Sequence, residues 1–342
     1  MSPAIAAEIS QQQAAQNLAA LAASNAASNA ASNADSVQKT YRRRVDAAWA
    51  KYDTKIGLPL QDWTKREVAY AGGGTVFYPF SGPDFPTVAR MYPQAERYVL
   101  VAMQNARRPA YPENMNPQQR REFLEKFGAA WEKFGTLGFF RTEDLDDDQK
   151  DKATSIGVSS LLLAFAARLG YEVKDIAPLE FDAEKGEWTP RPGGEKWRSV
   201  RLSLRKDGRD TTLDYLRMDL SDAGLKASAP QRAWIERMAG KPTLLKAASH
   251  LLQEPYFTIL RDALTQAAPL LVQDETGLDY NDLRKIGAVR LYGNFNQTYG
   301  LFKKTTQRAL AAAYQAEKSP GELPFAFSYL KKTDTRSMQI AR

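Results

Sequence analysis

The sequence predicts an α+β fold: a mixed, largely antiparallel sheet flanked by helices and preceded by an Ala-rich arm. Three observations carry this prediction. A β-rich run, a short helical stretch and a second apolar run follow one another between residues 75 and 103, the order of a compact βαβ unit. Apolar and polar residues alternate in strand-like runs between 176 and 219, where Lys206-Asp207-Gly208-Arg209 makes a hairpin turn. Apolar residues at helical spacing bracket both regions.

Taken in order, residues 5–33 are Ala-rich, and Ala-Ala-Ser-Asn repeats three times from Ala22 to Asn33. Alanine favours helix, but an Ala/Asn face buries little, so this stretch reads as a frayed helix or linker. The composition changes near Asp35. The expected division is an arm over 1–35, one α+β domain over 36–330 and a basic tail over 331–342. Within 36–55, Tyr41, Val45, Ala48 and Tyr52 share a helical face. Strands are expected near 75–80 and 97–103, with a short helix over 84–91 between them. A helix over 117–134 precedes Phe139-Phe140, and the apolar stretch 156–169 reads as a buried helix closed by Gly170.

The middle of the chain offers strands over 176–181, 199–205 and 211–219. Helices follow over 229–238, 243–252 and 257–267. Strands over 289–295 and 323–329 close the pattern around a helix over 299–316.

Composition narrows the chemistry. The chain has 342 residues, 43% of them hydrophobic, and no cysteine. Thiolate nucleophiles, disulfides, Cys-ligated zinc and iron–sulfur clusters are thereby excluded. A cysteine-free chain suits an oxidising periplasm. The longest apolar run is short for a bilayer span and holds Ser159, Ser160 and Arg168. No secretory signal precedes Glu8. The Ala/Ser/Asn/Gln arm is similar to the spacer that follows an export signal, which favours a periplasmic or secreted protein over a cytoplasmic one. The net charge is +7. Part of the excess lies in Arg42-Arg43-Arg44 and in Lys331, Lys332, Arg336 and Arg342. Elsewhere the two signs are interleaved, which argues against a nucleic-acid partner.

Several segments offer candidate binding residues. Two prolines and a glycine shape Tyr78-Pro79-Phe80-Ser81-Gly82-Pro83-Asp84, placing Ser81 and Asp84 at the mouth of a strand-to-helix turn. Asp84 also fits a plain helix N-cap. The only histidine, His250, falls opposite the apolar stripe of an expected helix from Leu244, near Lys246. One histidine and no cysteine exclude a two- or three-histidine metal site within the chain, and no cofactor motif is present. The run Glu143-Asp144-Leu145-Asp146-Asp147-Asp148 begins like a calcium loop, with Asp144, Asp146 and Asp148 in the first ligand positions. It then fails, because Gln149 replaces the turn glycine and Ser155 the bidentate glutamate.

Asp219, Asp222 and Asp274 sit in expected turns and, with Asp84, could include the carboxylate pair of a hydrolase. Tyr292, Asn294 and their neighbours up to Tyr299 form an aromatic–amide surface of the kind that meets sugar rings or rigid ligands.

Seven segments in order resemble a known family. They are Tyr-Pro-Phe-Ser-Gly-Pro-Asp (78–84), Phe-Phe-Arg-Thr-Glu-Asp (139–144), Asp-Leu-Ser-Asp-Ala-Gly-Leu (219–225), Leu-Lys-Ala-Ala-Ser-His-Leu-Leu (245–252), Val-Gln-Asp-Glu-Thr-Gly (272–277), Leu-Tyr-Gly-Asn-Phe (291–295) and Leu-Pro-Phe-Ala-Phe-Ser-Tyr (323–329). Together they resemble a family of uncharacterised exported bacterial proteins, many of them lipoproteins. The resemblance spans residues 72–329 and implies an exported, single-domain protein without implying an activity. Arg141 is a further binding candidate. The expected function is a non-enzymatic binding or scaffold protein with a protein partner or an envelope-derived ligand. A polysaccharide- or envelope-directed hydrolase using paired carboxylates is the alternative.

Overall fold

The computed structural model describes residues 36–68, 70, 72–110, 112–138, 156–296, 298, 306–327 and 336–342. The arm over 1–35, Phe139-Phe140, Arg141 and the acidic run 143–148 lie outside the described residues.

Helix α1, Ser36–Tyr52, buries Tyr41, Val45, Ala48, Trp49 and Tyr52, one face at the predicted spacing. A single π-helical turn, Asp53–Gly57, joins it to α2, Leu58–Glu67. Strand β1 is Thr75–Pro79, α3 is Phe85–Met91 and β2 is Arg97–Ala102. β1 and β2 pair in parallel, as the βαβ reading requires. Helix α4, Pro117–Leu137, opens on a capping box between Asn116 and Gln119. It closes on Gly138 at φ 76°. Helix α5, Gly157–Arg168, is buried from Gly157 to Ala166, Ser159 and Ser160 included, in keeping with its mainly apolar sequence.

Four strands follow: β3 Glu172–Asp182, β4 Glu187–Pro190, β5 Ser199–Lys206 and β6 Arg209–Arg217. Asp207 and Gly208, at φ 51° and 75°, make the tight turn between β5 and β6 that the sequence announced. Then come α6 Asp222–Lys226, α7 Ala229–Ala239, β7 Thr243–Leu245, α8 Thr258–Ala267 and β8 Leu271–Gln273. The last elements are α9 Tyr280–Ile286, β9 Val289–Asn294, α10 Arg308–Ala316 and β10 Arg336–Ala341.

All ten strands join one sheet in the order β4-β3-β5-β6-β2-β1-β7-β8-β10-β9. Neighbours are parallel from β6 through β2, β1 and β7 to β8. They are antiparallel on either side of that block. Both sheet faces are covered. Val76, Tyr78, Tyr98 and Leu100 face the core packed by α1 to α5, while Phe77, Val99 and Val101 face the core packed by α6 to α9. Burial on both faces explains why β1 and β2 read as continuous apolar runs.

The chain winds to opposite sides of β1. It steps to β2 and then β6 on one side, and returns to β7 and β8 on the other. Where the order reverses, between β1 and β7, connections leave the carboxyl ends in opposite directions and open a crevice.

Four expectations are corrected. Residues 243–252 are no helix: Thr243–Leu245 is a strand held between β1 and β8, followed by an irregular loop and a 3₁₀ turn, Leu251–Gln253. Leu, Lys and Ala favour helix locally, but two strand partners outweigh that preference. Val272 and Gln273 belong to β8 rather than to a turn. The stretch read as a basic tail carries β10, an interior strand whose Met338 and Ile340 enter the core. Residues 322–327 form no strand, and Gly321 makes only an isolated bridge to Tyr292.

Of the helix expected over 299–316, the structure shows α10 from Arg308; Thr306 and Gln307 precede it outside the helix, and 299–305 lie outside the described residues. β4 had no counterpart in the sequence reading. It is a short edge strand ending in Pro190.

Candidate functional site

The carboxyl end of β1 turns sharply. Phe80 and Gly82 adopt φ 60° and 53°, and Asp84 then caps α3, accepting from the Thr87 backbone N–H at 3.4 Å and from its hydroxyl at 2.8 Å. The N-cap reading therefore holds, but Asp84 does more. Its other oxygen accepts from the Tyr78 hydroxyl at 2.9 Å and from the Lys246 ammonium at 2.5 Å.

Lys246 follows β7 directly. Its Nζ also donates to Thr87 Oγ1 at 3.1 Å and to the Gly138 carbonyl at 2.6 Å, and lies 4.2 Å from the Phe327 ring centre. Burial pushes the Lys246 pKa down, and the Asp84 carboxylate opposes that shift. Burial and the same carboxylate push Tyr78 well above the usual phenol range. The ammonium is thus held by the β1–α3 turn, α3 and the end of α4 together.

The loop after β7 is strained. Ala247, Ser249 and His250 take φ 51°, 53° and 60°. With Phe80 they are four of the six non-glycine residues at positive φ among the described residues. Each such residue costs about 1–3 kcal/mol and persists only where its surroundings enforce it. The enforcing groups lie in the β8 turn. Asp274 accepts from the Ala247 N–H at 2.8 Å, Thr276 Oγ1 accepts from the Ala248 N–H at 2.7 Å, and the Thr276 carbonyl accepts from the His250 N–H at 3.0 Å. Burial raises the Asp274 pKa, against the bonds it accepts from Thr276 and Ala247.

His250 corrects its expectation: it is 1% exposed, not on a solvent-facing helix surface. Burial lowers its pKa to about 4, with the Gln253 amide 3.2 Å from Nδ1 opposing the shift.

These loops enclose a cavity of about 360 Å³ at the crevice. Tyr78, Phe80 and Ser81 line it from β1, and Met103 and Gln104 from the end of β2. Met218, Asp219 and Leu220 close it beyond β6, with Ala247 and Ser249 beyond β7. Phe257 and Tyr256 complete one wall. The Phe80 and Phe257 rings meet edge-on at 5.6 Å, and Tyr256 adjoins Phe257 at 5.2 Å. Among the described residues, Leu58, Met103 and Tyr256 are the exposed large apolar side chains, the last two 53% and 51% accessible at the cavity mouth.

No protein-family model matches this chain, and no curated protein or solved structure matches it either. Its site must therefore be read from geometry alone.

Of the residues singled out in the sequence, Tyr78, Ser81, Asp219 and Lys246 line the cavity, and Asp84 stands behind it. His250 and Asp274 support the β7 loop from the rear. Asp222 lies apart, accepting from the Ile259 N–H at 2.9 Å and the Thr258 hydroxyl at 2.7 Å at the start of α8. Burial opposes its ionisation, but those bonds prevail and hold its pKa below the usual carboxylate range. Tyr292 is buried, its ring edge-on to Trp63 at 5.0 Å and its hydroxyl donating to Glu67 at 2.9 Å. Asn294 is exposed at the end of β9 and does not line the cavity.

Asp84, Asp222 and Asp274 each engage both carboxylate oxygens with protein donors. Asp219 accepts from the Ser221 N–H at 2.9 Å through Oδ1, and its Oδ2 receives no bond from a described residue. No group of three metal-ligating side chains occurs among the described residues, and no described helix is long and apolar enough to cross a membrane.

Sequence reasoning missed Phe80, Met103, Gln104, Met218, Tyr256 and Phe257 as site residues. Most of them sit just beyond strand ends, a signal that becomes usable only when strand order is known.

Proposed function

We propose that this protein binds a small molecule in the cavity beyond the carboxyl ends of β1, β2, β6 and β7, without carrying out chemistry on it. One observation carries the reading: Met103 and Tyr256, two of the few large apolar side chains left exposed, converge on that mouth. Folded proteins seldom leave such side chains gathered around a crevice unless something covers them. The mostly apolar lining with a few convergent polar groups suits ligand binding, and the switch-point position agrees.

A two-carboxylate hydrolase has less support, because three of its four nominated carboxylates are fully engaged elsewhere. We further propose a periplasmic or secreted location and kinship with the exported bacterial proteins named above. Support comes from the absence of cysteine, the low-complexity first 35 residues and the ordered segments.

The test is to purify the protein from its own source under native conditions and analyse the molecules it releases on denaturation. Wild type should carry a small molecule that a Met103→Ser/Tyr256→Ser variant lacks. Equal release from both, or none from either, would overturn the reading.

A further inference from the structure

The lining of the cavity has a definite electrostatic character. Its cation, Lys246, is already neutralised by Asp84 and turns its ammonium toward Thr87, Gly138 and Phe327. Asp219 is exposed at the rim and makes no ion pair with any described residue. Arg217 stands two residues away, but it donates to the Met103 carbonyl at 3.1 Å and is not part of the lining. The same lining holds the continuous wall of Phe80, Phe257 and Tyr256. Aromatic faces carry negative quadrupole potential and attract cations.

The same geometry disfavours an anion. The β1 turn leads into α3, a helix of only seven residues whose first N–H, on Phe85, donates to the Pro83 carbonyl, whose next residue is Pro86 and whose Thr87 N–H is met by Asp84. A phosphate or carboxylate placed there would approach that carboxylate.

From this we infer that the ligand is a compact organic cation with an apolar body, its charge facing Asp219 and its alkyl groups packed on the Phe80–Phe257–Tyr256 wall. The inference rests on the cavity being a ligand site, as proposed above. It adds the sign of the ligand charge and the residues that read it.

Three probes of nearly equal shape separate the possibilities: choline, its uncharged counterpart 3,3-dimethyl-1-butanol, and the anion 3,3-dimethylbutyrate. Binding to the full chain is followed by ligand-observed NMR and calorimetry. Choline should bind about tenfold more tightly than the alcohol, and the butyrate more weakly than both. Asp219→Asn keeps an acceptor for the Ser221 N–H, so the turn survives. It should reduce choline affinity about threefold or more and leave the alcohol unchanged. Tyr256→Leu should weaken choline more than the alcohol, and added salt should narrow the gap between them. Alcohol binding as tight as choline, or a choline preference that survives Asp219→Asn, would overturn the charge assignment and leave the cavity reading standing. Failure of all three probes to bind would overturn the compact-cation inference, while the cavity reading is decided by what the natively purified protein releases.

Discussion

Lys246 and Asp84 are 162 residues apart in the chain and 2.5 Å apart in the fold. Their contact ties the carboxyl ends of β1 and β7 together at the point where strand order reverses. Both side chains are almost wholly removed from water. Such a pair is weak evidence for net stability, but removing one partner strands the other.

Lys246→Met should therefore cost about 3–5 kcal/mol, and Asp84→Asn a comparable amount. The double variant should cost much less than the sum, because neither charge is then left alone. Urea unfolding of the four proteins measures this coupling. Additive losses would mean that the two groups do not depend on each other.

His250 predicts a pH effect of definite sign. Its folded pKa of about 4 lies below the ordinary value of 6.5. Above about pH 6.5 it is neutral in both states and adds no pH dependence. As pH falls from 6.5 toward 4, the unfolded chain takes up a proton that the folded chain refuses, so stability drops. The loss reaches about 3 kcal/mol at most. The stability difference between wild type and His250→Gln should stay constant above pH 7 and shift by up to that amount by pH 4.5. A pH-independent difference would show that the ring titrates alike in both states.

Two glycines at nearly the same dihedral angle separate backbone strain from crowding. Gly208, at φ 75°, has nothing within 4 Å of where a Cβ would stand, whereas at Gly293, φ 76°, a Cβ would lie 2.1 Å from the Arg336 carbonyl oxygen. Gly208→Ala should cost about 1 kcal/mol, the conformational penalty alone. Gly293→Ala should cost about 3 kcal/mol or more, since backbone must move and β9 is pushed from β10. Thermal or urea denaturation ranks them.

Met103→Ser and Tyr256→Ser should leave unfolding stability within about 0.5 kcal/mol of wild type, because exposed side chains contribute little to the fold. A large loss in either variant would assign that side chain to packing instead of to binding.

The parts of this fold legible in sequence were those with local periodicity. Tyr41, Val45, Ala48 and Tyr52 marked α1, the apolar runs marked β1 and β2, and Asp207-Gly208 marked the β5–β6 hairpin. β7 was illegible because it has only three residues, all within a stretch of good helix formers. His250 was misplaced with it, since its face depended on that helix. The turn at 78–84 was found from its prolines and glycine, and it does reach the site. That Asp219 and Lys246 share its site, and that Met103 and Gln104 join them, could not be read, because strand order joins segments that are separated in the chain and share no spacing.

The position of β10 bears on how the protein is made. β9 is synthesised before β10, yet it touches the sheet only through it. While the ribosome adds the intervening residues, β9 has no strand partner in the sheet, and the outer edge of β8 stands open to wrong strands. Completion of that side waits on residues 336–341. Chains halted just before that point would display a raw β edge, a ready mark for quality-control proteases.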